Sequence, residues 1–173
     1  RGLGDVYKRQ ALLLHFHPQD FSALNLAVGT KLILRIITSF CGVFGFSIMF
    51  NSSIPMAATA ACIGAVANTL RLELVDYTST PPAAAAFAGA LTAGILASII
   101  KRNNGYPRIS LTVPSIVIMV PGLYLYRAIY NFGIMSLTDA VSWFTSAIMI
   151  IVMLPLGLIF ARILTDRTFR YCT

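Results

Sequence analysis

The sequence predicts an all-α, polytopic integral membrane protein with five transmembrane helices, the fourth of them broken at Pro121-Gly122. Three observations carry that prediction. Hydrophobic residues make up 57% of the 173-residue chain and charged residues only 11%, where a soluble domain has about 25% charged. Mean hydropathy is +0.79. The Lys and Arg residues also punctuate apolar runs, as loop residues do between membrane spans. Because they form no patch, the net charge of +7 does not point to nucleic acid.

The N-terminal RGLGDVYKRQ, residues 1–10, does not fit the rest of the chain. Its DVYKRQ core resembles the translation of a transposase end sequence used in sequencing-library preparation, so it reads as an assembly artefact. A natural basic arm is the alternative. Without Arg1, Asp5, Lys8 and Arg9 the charge falls to about +5. The chain does not begin with Met, which leaves room for coding sequence upstream. Residues 11–30 read as a pre-membrane segment, 31–162 as the transmembrane domain and 163–173 as a cytoplasmic tail.

The first apolar run covers 32–50 and can extend back to Phe21 as an interfacial lead-in. The second, 54–70, opens with Pro55 in its first turn, where a missing N–H costs little. The third, 83–100, follows Pro81 and Pro82. The fourth is 109–130, and the fifth, 141–161, has Trp143 near one interface and Pro155 near the other end. Each approaches the ~20 residues that span a hydrocarbon core. The second and third are short and rich in Ala, and their case rests on packing. Ala86, Ala90, Gly94 and Ser98 are spaced by four, with Ala85, Gly89, Ala93 and Ala97 beside them, and Ala60, Gly64 and Asn68 form a similar stripe. Small residues at that spacing let helix backbones approach closely, so these two helices belong inside the bundle.

Five spans place the N-terminus and the 71–82 and 127–140 segments on one side, with Lys31, Arg35, Arg71 and Arg127. The other side carries Lys101, Arg102, Arg108, Arg162, Arg167 and Arg170. The excess on the second side puts the C-terminus in the cytoplasm.

The fourth span contains Pro114, then Pro121-Gly122 directly after its centre near Met119, then Tyr124, Tyr126 and Tyr130. Pro121 has no N–H and clashes with the carbonyl one turn back, and Gly122 has access to backbone angles that other residues resist. Freed backbone groups are tolerated at membrane depth only where protein buries them or a wet cavity receives them. The break also creates a helix N-terminus suited to a carboxylate, beside phenols that can bond polar substrate groups. A proline kink with no ligand is the competing reading. Asn68 reads first as helix–helix hydrogen bonding and second as a substrate contact. Arg71 reads as pairing within its loop to Glu73 and Asp76, or as a receptor for a substrate carboxylate. Arg127, under two turns from the break, has the same two readings. Arg35 reads as snorkelling to the interface.

Taken in order, FGFSIMFNSSIP, CIGAVANTLR and LTVPSIVIMVPGLYLYRAI resemble the threonine/serine exporter family, and within it the small, second half. The matching positions are Gly45, Phe46, Phe50, Asn51 and Pro55; Gly64 and Arg71; and Pro121, Gly122 and Tyr126. The likeness covers about residues 32–161; Pro114, Tyr124 and Arg127 depart from the pattern, and 11–30 lies outside it. The resemblance implies secondary export of small amino or organic acids across the bacterial inner membrane, driven by the proton gradient. It implies as partner a larger five-helix half, forming an inverted repeat with the substrate site between the halves at mid-depth. Threonine and serine are the first substrates it implies, a four-carbon dicarboxylate such as succinate the runner-up.

Other chemistry is thin. His15, His17 and Asp20 make an incomplete metal set, and no metal or cofactor is expected. Cys41, Cys62 and Cys172 show no paired spacing, and the first two read as small core residues. No HExxH, GxSxG or paired intramembrane carboxylates occur, so an enzyme is not expected. Hydroxyl residues are scattered and not striped, which argues against a channel. A non-transporting accessory subunit stays open. No acidic residue falls in the middle of a span, so a proton-coupled carrier would need its titratable group from the partner or from a tyrosine network.

Overall fold

A computed structural model describes residues 28–166, with the backbone alone at 102–104. The segments 1–10 and 11–27, with the HFH motif, and the tail from 167, with Cys172, lie outside the described residues. Six helices succeed one another: α1 Val28–Met49, α2 Ile54–Thr78, α3 Pro82–Asn104, α4 Arg108–Val117, α5 Gly122–Gly133 and α6 Leu137–Thr165. Four are long and apolar enough to cross a membrane, and α4 with α5, bent by 40° at their break, bring the number to five if the pair is one span. No strand occurs among the described residues.

The centre of the bundle is built from small residues. Ala60, Ala61 and Ala67 of α2 and Ala86, Ala90, Ala93 and Ala97 of α3 are buried together with Val43, Ile63, Leu111, Met119, Ile150 and Leu154. α2 packs on α1, α3 and α4, while α3 packs most extensively on α6. The expected interior position of the two Ala-rich helices therefore holds. Between lipid-like apolar surfaces the hydrophobic effect gives little drive, so close backbone contact has to supply cohesion. A Cβ on Gly157 would lie 2.7 Å from the Phe87 carbonyl oxygen and 2.8 Å from Ala90 Cβ. One on Gly64 would lie 2.5 Å from Val43 Cγ2 and 3.2 Å from Ser115 Cα. Large apolar side chains instead line the outward faces of α1 and α6, including Ile33, Ile37, Ile48, Ile151, Val152 and Phe160.

Several helices outrun their apolar segments. α2 continues through Arg71, Glu73 and Asp76 to Thr78, so the predicted 71–82 loop shrinks to the residues before Pro82. No Pro or Gly intervenes there, and its acidic side chains find partners on α1. Lys31 Nζ donates to Asp76 at 2.6 Å, Arg35 Nη1 to Glu73 at 2.8 Å, and Arg35 Nη2 to Asp76. Arg35 is thus a cross-helix clamp with a largely covered side chain, not a snorkelling residue. α3 runs through Lys101 and ends where Gly105 takes φ 71°, a left-handed angle that favours glycine. Cys41 and Cys62 are exposed on outward helix faces, correcting the reading of both as core residues. The thiol's small size had suggested burial, but alanines and glycines already occupy the close contacts.

Gly157→Ala should lower the thermal unfolding midpoint of the detergent-solubilised protein, at a cost of about 1–3 kcal/mol from overpacking. Gly45→Ala, whose new methyl meets nothing within 4 Å, should leave the midpoint unchanged or raise it.

Candidate functional site: the break between α4 and α5

α4 carries Pro114 within it and closes at Val117 with two short steps, Met119 N to Ile116 O at 2.9 Å and Val120 N to Val117 O at 3.1 Å. These are i→i−3 bonds, a tightened last turn. The chain then bends through Pro121, at φ −79° and ψ 54°, with Gly122 N donating to Val120 O at 2.8 Å. Those angles and that bond define an inverse γ-turn centred on Pro121. α5 starts at Gly122 with no side-chain cap, so the amides of Leu123 and Tyr124 have no acceptor within the helix. Gly122 does not use its backbone freedom, because its φ is not positive. Its role is one of space: it is exposed, and a Cβ there would meet nothing within 4 Å.

The turn frees the carbonyl of Met119. Arg71 of α2 takes it, with Nη1 donating at 3.0 Å. Arg71 is therefore not paired with Glu73 and Asp76; both are bonded to Arg35 of α1, and on a helix Arg71 and Glu73 point to different sides. Arg71 Nε is buried with no partner. No carboxylate faces this guanidinium among the described residues. Gly89 of α3 closes the back of the site, since a Cβ on it would lie 3.2 Å from the Ala67 carbonyl oxygen, from Arg71 Cβ and from Met119 Sδ. Gly89 is seven residues from the start of α3, about 10 Å along the helix.

Tyr124 is close enough to Arg71 to interact with it electrostatically and packs on Trp143 of α6, with ring centroids 5.5 Å apart. Arg127, one turn later on the same face, lays its guanidinium 4.6 Å above the Trp143 ring. Arg71, Tyr124, Trp143 and Arg127 thus form one connected group directly after the Pro121 turn. Tyr126 lies two residues from Tyr124 and shares a different helix face with Tyr130, and both are half-buried. Asn68 is buried deeper between helices, its Nδ2 donating to Ser39 Oγ of α1 at 2.9 Å. That bond meets the helix-packing reading of Asn68.

Met119, Gly89 and Trp143 escaped the sequence reading as site residues. Gly89 lay on a recognised small-residue stripe, but nothing linear ties it to Arg71. The Met119 contribution is a main-chain oxygen, which no residue type announces. The scattered hydroxyls of Thr38, Thr92, Thr145 and Ser146 all donate to carbonyls of their own helices. Among the described residues no cluster of His, Cys, Asp and Glu has the makings of a metal site.

A family model described as "Threonine/Serine exporter, ThrE" matches residues 35–164. No curated protein and no solved structure matches the chain.

Asn68→Ala should cost about 0.6–1.7 kcal/mol, the range for an interhelical hydrogen bond in a membrane protein, measured as the shift in thermal midpoint in detergent. Ser39→Ala should cost a similar amount, and the double variant no more than either one alone.

Proposed function

Since the chain belongs to the threonine/serine exporter family, we propose that it is one half of a secondary exporter of small amino acids, threonine and serine first, with its substrate site at the α4–α5 break. The observation that carries the reading is Arg71: a guanidinium inside the bundle with one bond to a neutral carbonyl, a buried Nε without a partner and no counter-carboxylate among the described residues. An uncompensated cation at membrane depth is costly and marks a substrate or ion path. A substrate carboxylate supplies the missing charge. It can accept from Arg71 and from the free first-turn amides of Leu123 and Tyr124, which carry the positive end of the α5 dipole. The exposed Gly122 gives the backbone room for close approach. Tyr124 and Tyr126 offer phenols for the hydroxyl end of the substrate.

A second five-helix half, supplied by another chain or by further residues of the same protein, completes the site. Two features support it. α1 and α5 present large apolar faces that their own bundle leaves open. Each carboxylate among the described residues already has a partner: Glu73 and Asp76 pair with α1, Asp166 with Arg108 and Arg162, and Asp139 accepts from Ser136. The group that binds the substrate ammonium and the group that carries the proton then come from the other half. In that arrangement the two halves are inverted repeats in the bacterial inner membrane, this one with its C-terminus in the cytoplasm.

One observation favours a dicarboxylate instead. Arg71 interacts with Tyr124 and Arg127 stacks on Trp143, the ring against which Tyr124 packs, and two cations suit two carboxylates.

Export of labelled threonine from loaded cells lacking their own exporters tests the reading. The chain with a five-helix large half should export, and the chain alone should not. Arg71→Met should cut export by about tenfold or more, the loss of a charged hydrogen bond. Gly122→Leu and Tyr126→Phe should weaken export while the protein still inserts. Wild-type rates in Arg71→Met and Gly122→Leu would remove the proposed site. Export of succinate but not threonine by the intact pair would select the dicarboxylate.

A further inference from the structure

At the end of the bundle away from the Arg35 clamp, α3 and α6 finish and α4 begins. Two adjoining cavities of about 370 Å³ each open there, both lined by Lys101, Arg108 and Asp166. Arg162 joins the first, Ser98 and Thr165 the second. Arg108 is fixed in place: its Nη2 donates to the Gly94 carbonyl at 3.2 Å and its Nη1 to Thr165 Oγ1 at 3.3 Å. Its side chain is only 14% exposed. The carboxylate that lines both cavities is held loosely, Asp166 lying 3.4 Å from Arg108 Nη1 and 3.8 Å from Arg162 Nε. Among the described lining residues, cations outnumber this one anion. The N-terminus of α4 adds to the positive field, since Pro107 supplies no side-chain cap and the first amides of that ten-residue helix are without intrahelical acceptors. The hydroxyls of Ser98 and Thr165, 3.0 Å apart, stand at the same place.

The walls beside this polar pocket are apolar and face outward. Ile109 is 74% exposed and Ile159 46%, with Leu158 beneath them. A cleft with a cationic, hydroxyl-lined floor and an open apolar flank, at a helix end of a membrane protein, has the chemistry of a site for a phosphate carried on an acyl-chain lipid. We infer that the α3–α4–α6 cleft binds the phosphate of an anionic phospholipid such as phosphatidylglycerol, the phosphate between Lys101 and Arg108 and the acyl chains along Ile109 and Ile159. This site is separate from the α4–α5 break and does not depend on what the protein exports.

Native mass spectrometry of the full chain in detergent, titrated with phosphatidylglycerol or phosphatidylcholine, measures the binding. Phosphatidylglycerol should bind at least tenfold more tightly than phosphatidylcholine, about the effect of two surface-proximal cations. Lys101→Gln should weaken it about fivefold, the effect of one such cation on an anionic lipid. Arg108→Gln should weaken it by at least as much. Because Arg108 also bonds Gly94 and Thr165, that variant can fail to fold; the exposed Lys101 then carries the test alone. Lys31→Gln, the same charge change at the opposite end, should leave binding as it is. A parallel arm with inorganic phosphate separates the sources. Protection against thermal unfolding by free phosphate equal to that by the lipid, and lost in Lys101→Gln, overturns the lipid assignment in favour of a soluble phosphate. Equal binding of the two lipids, or equal phosphatidylglycerol binding by Lys101→Gln, Lys31→Gln and wild type, overturns the inference.

Discussion

The arrangement depends on one backbone carbonyl. A membrane helix that breaks must answer for every polar group it frees, because hydrocarbon offers no water to do so. Here the tightened end of α4 absorbs the Ile116 and Val117 carbonyls, the γ-turn absorbs that of Val120, and Leu125 N reaches back to Pro121 O at 3.1 Å. Met119 O is among those left, and Arg71 reaches 3.0 Å from the neighbouring helix to take it. That contact makes the break tolerable and also brings a cation to it. The structural solution and the candidate chemistry are the same pair of atoms.

Getting Arg71 to Met119 requires thin helices. Gly89 lets α3 approach within contact of both residues, and Gly64 lets α4 approach α2 next to Val43. Buried alanines along α2 and α3 keep the three elements close over their length. Beside the break the larger side chains are ones that bend or stack: Met119 Sδ beside Gly89, and Tyr124 against Trp143. The thin centre and the aromatic bracket around α5 therefore do different things. One fixes where the guanidinium emerges, the other fixes the face of the short helix that meets it.

Hydropathy and Pro-Gly punctuation made the five spans and the break legible in the sequence, because those signals are local and large. What they could not reveal were partners far apart in the chain. Glu73 and Asp76 looked like companions of Arg71 by proximity in sequence, yet a helix carries residues two and five positions away to other sides, and Arg35, 38 residues distant from Glu73, claims both. Hydropathy also ended α2 at Leu70, since charged residues look like a loop until the opposing charges on α1 are in view. Gly122 was legible as special but not for the right reason: it contributes open space, not an unusual φ. Tyr126 stood out by motif, while Tyr124 is the tyrosine that the α5 helix turns toward Arg71 and Trp143.

The clamp between α1 and α2 has a consequence for how the chain enters the bilayer. Lys31 and Arg35 on one helix face Glu73 and Asp76 on the next, two positive and two negative charges joined by three ion pairs. Offered singly to hydrocarbon, each such charge is costly. Offered as a hairpin, the four cancel. The connection between α1 and α2 is only a few residues long, so the hairpin can close before either helix has left the translocation machinery. The charge balance of the domain is therefore a property of the α1–α2 pair and not of either helix alone.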